Sequence, residues 1–312
     1  MRPESRAAET RVSPALDLPP GSVSIVVPTY NRRRVLETTL PTCLGQSGVS
    51  EVVVVDDGGT DGTWPWLRAV AASRPELRPV RLERNGGSPR ARNRGLAQAR
   101  GDWILLVDDD VLLGHEYMLT LVDHAQRGGF DLIAGRRIWL RPGETPVEAE
   151  ARVAAEAARP VVDTRLLLFN DCALVGEDLE VPIIQAVMLV RRKVFAQVSY
   201  DLRFKGNAWR EETDLQISAA RAGFRVGFCP HAICYHTPKS LAGHHGGQRA
   251  RSRLAYEWSV LRNNRRFLVK HRDWLAGAYP EAVNRPTWWL VVRAWWEGRF
   301  LDKTRRALGR VA

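Results

Sequence analysis

Three consecutive carboxylates, Asp108, Asp109 and Asp110, close the apolar run ILLVDDDVLL at residues 104–113. They repel one another, so the cluster needs a cation, or a ligand that arrives with one. Hard oxygen donors at a strand end suit Mg2+ or Mn2+ carrying substrate phosphates. One aspartate could instead cap a helix over VLLGHEYM, but three exceed that need. An aspartate phosphatase also places D-x-D-x-V at the end of an apolar strand, its first Asp the nucleophile. The triplet by itself leaves that use of Asp108 and Asp110 open.

Three further stretches carry groups capable of chemistry. In RNGGSPRARNRG, residues 84–95, Gly86 and Gly87 permit close backbone approach, and Arg90 and Arg92 add positive charge ahead of a helix start. That combination makes a diphosphate cradle, although an ordinary glycine turn before a basic helix looks the same. WREETDLQISAARAGF, residues 209–224, sets Glu211, Glu212 and Asp214 at a helix start, where the dipole alone favours acids. Leu215, Ile217, Ala219 and Phe224 bury that helix, so a carboxylate at its mouth is placed to act as a general base for a hydroxyl. CPHAICYH, residues 229–236, has zinc-ligand types. In an extended chain, Cys229 and His231 face one way, Cys234 and His236 the other, so the four do not converge on zinc. His236 remains a candidate ligand for the aspartate-bound metal.

These groups need elements to hold them. SVSIVVPTYN, EVVVVDDGGTDGT, PVRLERNGG and DWILLVDDD read as strands, separated by helical stretches, the first over 33–46 and kinked at Pro41. Apolar strands alternating with helices predict a parallel sheet covered on both faces. Polar residues stand at every strand end: Thr29 and Asn31, Asp56 and Asp57, Arg84 and Asn85, then the aspartates. Ligands bind at the carboxyl ends of strands in such sheets, which makes this edge the expected site. Further on, AEARVAAEAARP reads as helix, PIIQAVMLVRRKVF as strand then helix, and RVGFCPHAICYH as extended chain.

The 312 residues, 45% hydrophobic, suffice for one large α/β domain or two small ones. Residues 1–20 read as a flexible polar lead-in without the apolar core of a secretory signal. Four scattered cysteines do not make a disulfide framework, and a cytoplasmic setting is expected. No segment reaches the roughly 20 apolar residues that span a bilayer. The net charge of +11 suits anionic partners, whether nucleotide, nucleic acid or lipid surface, and equally a soluble basic face.

Taken in order, VSIVVPTYNR, VVVVDDGGTDGT, ARNRG, ILLVDDDV and EETDL resemble the family 2 glycosyltransferases of GT-A fold, from about Val23 to His236. The resemblance implies a Rossmann-like, mostly parallel α/β sheet with helices on both faces over residues 21–240. Residues 21–115 are then the nucleotide-binding half and 116–240 the acceptor half, with a helical, Arg- and Trp-rich extension at 241–312. It implies a nucleoside-diphosphate sugar donor, UDP foremost, a hydroxyl acceptor and a Mn2+ or Mg2+ cofactor. Pro28, Thr29, Tyr30 and Asn31 then line the nucleotide, and Asp57 holds the pyrimidine N3–H. Gly87, Arg90 and Arg92 attend the diphosphate, Asp108 and Asp109 lie near the ribose, and Asp110 binds metal with Asp108 and His236. The acidic pair before the last donor-domain helix contains the base. The usual Glu-Asp is Glu211-Glu212 here, making Glu212 the choice, Glu211 its rival and Asp214 a support. Such a single displacement inverts the anomeric centre.

Two other classes compete. A phosphatase needs its nucleophile on the first strand, whereas the triplet is on the fourth. A nucleic-acid binder explains the charge but not acid-lined strand ends that repel phosphate. In the extension, RPTWWLVVRAWWEGRFLDKTRRALGR, residues 285–310, has tryptophans near helical spacing with arginines interleaved. It suits a helix lying in a membrane interface, or one packing its Trp face on the catalytic domain. The first alternative would bring a lipid-linked acceptor and peripheral attachment to the inner membrane face.

Overall fold

The computed structural model describes residues 22–154, 160–165, 167–242 and 253–283. The chain runs β1 (Val23–Thr29), α1 (Arg33–Leu44), β2 (Val49–Asp56), α2 (Thr63–Ala71), β3 (Leu77–Arg81), α3 (Ser88–Leu96), β4 (Trp103–Leu106) and β5 (Val111–Leu113). It continues with α4 (Tyr117–Gly128), β6 (Leu132–Trp139), α5 (Pro146–Val153) and a small hairpin of β7 (Val162–Asp163) and β8 (Leu168–Phe169). Then come β9 (Leu179–Glu180), β10 (Met188–Arg191), α6 (Glu211–Arg221), β11 (Val226–His236), α7 (Lys239–Ala242) and α8 (Arg253–Ala278).

One nine-stranded sheet has the order β3-β2-β1-β4-β10-β6-β11-β5, with β9 also on β11. β1 to β4, β6 and β11 run one way, while β5, β9 and β10 oppose them, so the sheet is mostly parallel as expected. Burial on both faces explains the uninterrupted valines. Ile25, Val27, Val52, Val54 and Leu105 pack with Leu36 and Leu40 of α1 and Leu121 of α4. Their alternating neighbours Val26, Val53, Val55, Ile104 and Leu106 pack with Ala91 of α3 and Leu215 of α6. Each such valine contributes roughly 1.5–3 kcal/mol by leaving water, which outweighs any single cap or turn preference. The glycine of ARNRG serves this packing: a Cβ on Gly95 would lie 2.4 Å from Val26 Cγ1.

The structure changes several expected boundaries. α1 continues through Pro41 and ends at Leu44. Arg32 gives it no side-chain cap, and Asp61 from the following loop accepts the Arg33 N–H instead, at 2.9 Å. The fourth strand stops at Leu106, so the aspartates form a turn, and VLL continues as a strand, not a helix. That short strand crosses to the far edge and pairs antiparallel with β11. PIIQAVMLVRRKVF yields β10, inserted antiparallel between β4 and β6, followed by a 3-10 turn at Arg192–Ala196 instead of an α-helix. α5 starts at Pro146 because Thr145 and Glu148 form a reciprocal capping box. Gly223, at φ 87°, follows the end of α6 in the left-handed conformation.

The extension is helical over Arg253–Ala278 and packs on the domain. Phe267 and Leu275 of α8 share a buried cluster with Phe204 and with Ile217 of α6. No helix among the described residues is long and apolar enough to cross a membrane. The Trp- and Arg-rich segment 285–310 lies outside the described residues.

Candidate active site

A cavity of about 810 Å3 opens at the carboxyl ends of the central strands, a size suited to a nucleotide-sugar-sized ligand. Pro28, Thr29 and Tyr30 line it from β1, and Asp57 from the end of β2. The Asp108–Asp110 turn forms its floor, His236 enters from β11, and Glu211 and Glu212 face in from α6. Residues from Pro28 to His236 thus meet at one sheet edge, as the polar strand ends required.

The triplet is held by arginines that sequence reasoning missed. Arg32 forks across it, donating Nη1 to Asp109 at 2.7 Å and Nη2 to Asp110 at 2.8 Å. Thr29 Oγ1 donates to the other Asp109 oxygen at 2.7 Å. Burial pushes the Asp109 carboxyl up to about 7, against the pull of Arg32. Burial acts on Asp110 as well, but His236 and Arg32 outweigh it and hold that carboxyl below its usual value. Asp108 is more open, accepting from Arg92 at 2.6 Å with Arg137 at 3.9 Å. In this network Asp108, Asp109, Asp110, Asp171, Glu211 and Glu212 meet three guanidiniums, those of Arg32, Arg92 and Arg137. The excess of negative charge favours a cation.

His236 reaches the triplet through strand pairing. It stands opposite Val111 in the β5–β11 register, and the Thr237 N–H donates to the Asp110 carbonyl at 2.9 Å. Its Nδ1 lies 2.9 Å from the Thr237 carbonyl, which assigns the proton to that nitrogen. Nε2 faces Asp110 Oδ1, 3.3 Å away. Burial lowers the histidine's pKa, with the Asp110 carboxylate opposing. An imidazole nitrogen and a carboxylate oxygen facing each other suit a divalent ion, with the second nitrogen oriented by a carbonyl as in metal-bound histidines. The ring of Trp139 stacks on His236 with centroids 3.7 Å apart.

Arg92 joins the metal side to the acidic helix start. Fully buried on α3, it bonds Asp108, Glu211 and, at 2.8 Å, Glu212, with its guanidinium 5.3 Å from the Tyr200 ring centre. The arginine expected on the diphosphate is thus an ion-pair hub. Glu211 is enclosed: Ser88 Oγ donates to it at 2.7 Å, while its Oε2 finds no partner among the described residues. Burial pushes that carboxyl up to about 8, with Arg92 opposing. Glu212 is the more open, its side chain 25% exposed toward the cavity.

Other expected residues serve the scaffold. Asp214 is fully buried on the far side of α6, accepting from Lys270 at 2.7 Å and bonded to His271 at 2.8 Å. It anchors α8 and does not line the cavity, because its position faces the packing partner of α6. Asn31, at φ 52°, accepts the Thr60 N–H and ties the β1–α1 turn to the next loop. Asp57 lines the cavity while accepting the N–H groups of Gly86 and Gly87, at 2.7 and 2.9 Å. Gly87 thereby supports Asp57, and Arg90 points outward, exposed. Cys229 turns toward His124 and Asp178, the ligand atoms all within 4.8 Å of one another.

Arg32 stands in the quoted β1 strand-end stretch and Arg137 at the end of β6, yet one-dimensional order carries no sign that either meets the aspartates. An aspartate phosphatase also needs a downstream lysine in an acidic context. No lysine lines the cavity among the described residues, and the triplet follows β4, not β1; both count against the phosphatase reading.

Residues 24–197, more than half of the chain, match the model of glycosyl transferase family 2. The succinoglycan biosynthesis protein ExoO of Rhizobium meliloti (strain 1021) is 38% identical over 117 residues, covering 37% of this chain and 33% of that protein. The chain spans about a third of the length of the curated relatives it matches. Among solved structures, S. aureus TarS 1-349 in complex with UDP-GlcNAc superposes with a TM-score of 0.57 at 17% identity, covering 88% of this chain and 81% of that one. GalNAc-T7 with UDP, GalNAc and Mn2+ gives a TM-score of 0.61 at 16% identity, covering 85% and 52%. These two share the fold. With five motifs in order, a cavity at the strand ends and a family model over more than half its length, the chain belongs to glycosyl transferase family 2.

Proposed function

We propose that the protein transfers a sugar from a nucleoside-diphosphate sugar, UDP foremost, to an acceptor hydroxyl with inversion of the anomeric centre. One observation carries this reading: the aspartate turn and the acidic start of α6 face a common cavity, linked by Arg92. Pro28, Thr29 and Tyr30 flank the nucleotide. Asp57, at the end of β2 and lining the cavity, takes the uracil N3–H.

Asp110, Asp108 and His236 are the residues that would hold Mn2+ or Mg2+. When bound, the ion supplies neutralisation of the charge building on the leaving diphosphate. Glu212 accepts the proton of the acceptor hydroxyl as the oxygen bonds to the anomeric carbon and the bond to the diphosphate breaks. Glu211, enclosed and pushed up to about 8, already holds its proton at neutral pH and is not free to accept another. Arg92 orients Glu212 through its 2.8 Å bond. The UDP-GlcNAc-bound and Mn2+-bound fold neighbours support donor class and metal, and ExoO supports a saccharide-building role.

Thermal shift and calorimetry with UDP, with and without Mn2+, followed by a donor screen read by mass spectrometry, test the proposal. Metal-dependent UDP binding and transfer are expected. Full activity of the wild type in EDTA would refute the metal assignment.

A further inference from the structure

We propose that Trp209 is the platform on which a saccharide acceptor stacks, and that Asn264 of α8 positions it. The inference rests on the glycosyltransferase reading and names the acceptor class of that site. Trp209 lines the cavity two residues before Glu211, yet remains 40% exposed. A large aromatic surface left in water at a cavity rim is a ligand-facing feature more than a core one. Its ring is also held. Indole Nε1–H donates to Asn264 Oδ1 at 3.2 Å, and the same oxygen accepts from Arg210 Nε at 3.1 Å.

The backbone around it is equally constrained. Ala208 and Arg210, on either side, both take left-handed conformations, with φ of 53° and 73°. Such conformations persist in residues other than glycine only where the surroundings over-determine them. α8 provides that restraint: Ser259 accepts the Asn207 N–H at 3.1 Å, and Asn263 donates to the Lys205 carbonyl at 3.0 Å. Asn207 in turn accepts the Trp209 N–H at 3.1 Å. Buried Ser259, Asn263 and Asn264 thus lock a strained turn whose outcome is an indole face presented beside the proposed base.

A pyranose ring matches that face. Its C–H bonds present a slightly positive surface to the negative face of the indole, and its hydroxyls remain at the rim for Glu212. A polyprenyl chain, flexible and aliphatic, needs no such fixed plane. Trp139, the other exposed tryptophan of the cavity, has a face stacked on His236 at 3.7 Å and sits on the metal side. The cation over Trp209, Arg210, stands 5.8 Å from its ring centre and leaves the other face to the cavity.

The test uses the full chain with Mn2+ and a panel of UDP-glucose, UDP-galactose, UDP-GlcNAc and UDP-glucuronate. Acceptors are p-nitrophenyl pyranosides and short oligosaccharides in one arm, and undecaprenyl phosphate in detergent in the other. Transfer to saccharides is expected. Trp209→Ala should raise the acceptor KM about tenfold or more, the loss for one stacked ring, while UDP affinity stays the same. Trp209→Phe should recover most of it. Asn264→Ala should raise acceptor KM in the same direction, and Asn264→Asp, which keeps the accepting oxygen, should restore it. Retained UDP binding certifies folding of each variant. Transfer to undecaprenyl phosphate alone, donor turnover without use of any saccharide, or an unchanged KM in Trp209→Ala overturns the inference. A wild type that neither binds UDP nor consumes any donor defeats the glycosyltransferase reading itself.

Discussion

Replacing Arg92 by methionine removes a cation buried among Asp108, Glu211 and Glu212 while keeping much of the side-chain volume. The guanidinium is 4% exposed, so its partners lose a desolvated counter-charge and gain no water in exchange. Removing one partner of a buried pair costs about 3–5 kcal/mol. At roughly 2–4 °C per kcal/mol for a domain of this size, the melting temperature should fall by about 6–20 °C. The loss should depend on pH. In the wild type, burial already raises Glu211 to about 8 while Arg92 opposes the rise. Without Arg92 the carboxyl rises further, so between its unfolded value and its folded value the native state binds the extra proton. Stability then decreases with rising pH across that window. Up to about pH 8 both proteins carry that proton and lose stability alike, and they part only above it. Scanning fluorimetry of both proteins in EDTA, at about pH 7 and about pH 10, should therefore show the larger gap at the higher value. A gap of equal size at both values would refute the ion-pair hub and leave Arg92 a shape-filling residue over Tyr200.

Three further outcomes are expected. Asp110→Asn should abolish turnover and remove the Mn2+ enhancement of UDP affinity in calorimetry, because the carboxylate facing His236 is lost. Glu212→Gln should slow transfer by roughly 10²–10⁴-fold while UDP still binds; a comparable loss in Glu211→Gln, with Glu212→Gln near normal, would move the base by one residue. His124 is raised to about 10, first by its hydrogen bond to Asp178 and then by Cys229. Its contribution is full below the unfolded histidine value and lost as pH climbs through the folded one, so the melting-temperature gap between wild type and His124→Gln should shrink from pH 6 to pH 10.

Much of this molecule is determined along the line of the chain. Valine runs that alternate with helical segments can bury themselves only as central strands covered on both faces, and Val52–Val55 do so. Polar residues at the strand ends then fall on one edge, which is why the convergence of Thr29, Asp57 and the aspartates on one cavity is legible in the sequence. Direction and partnership are another matter. An apolar run such as MLVR is equally content parallel or antiparallel, and only the space between β4 and β6 turned β10 around. Local acidity at a helix start does not say which carboxylate faces solvent, so Glu212, Glu211 and Asp214 look alike in sequence. Packing of α8 draws Asp214 to Lys270 and His271, Arg92 encloses Glu211, and Glu212 is left toward the cavity. Arg32 over the aspartates and His236 beside Asp110 likewise depend on contacts 77 to 126 positions apart, which pairing of distant strands and helices creates and no local pattern encodes.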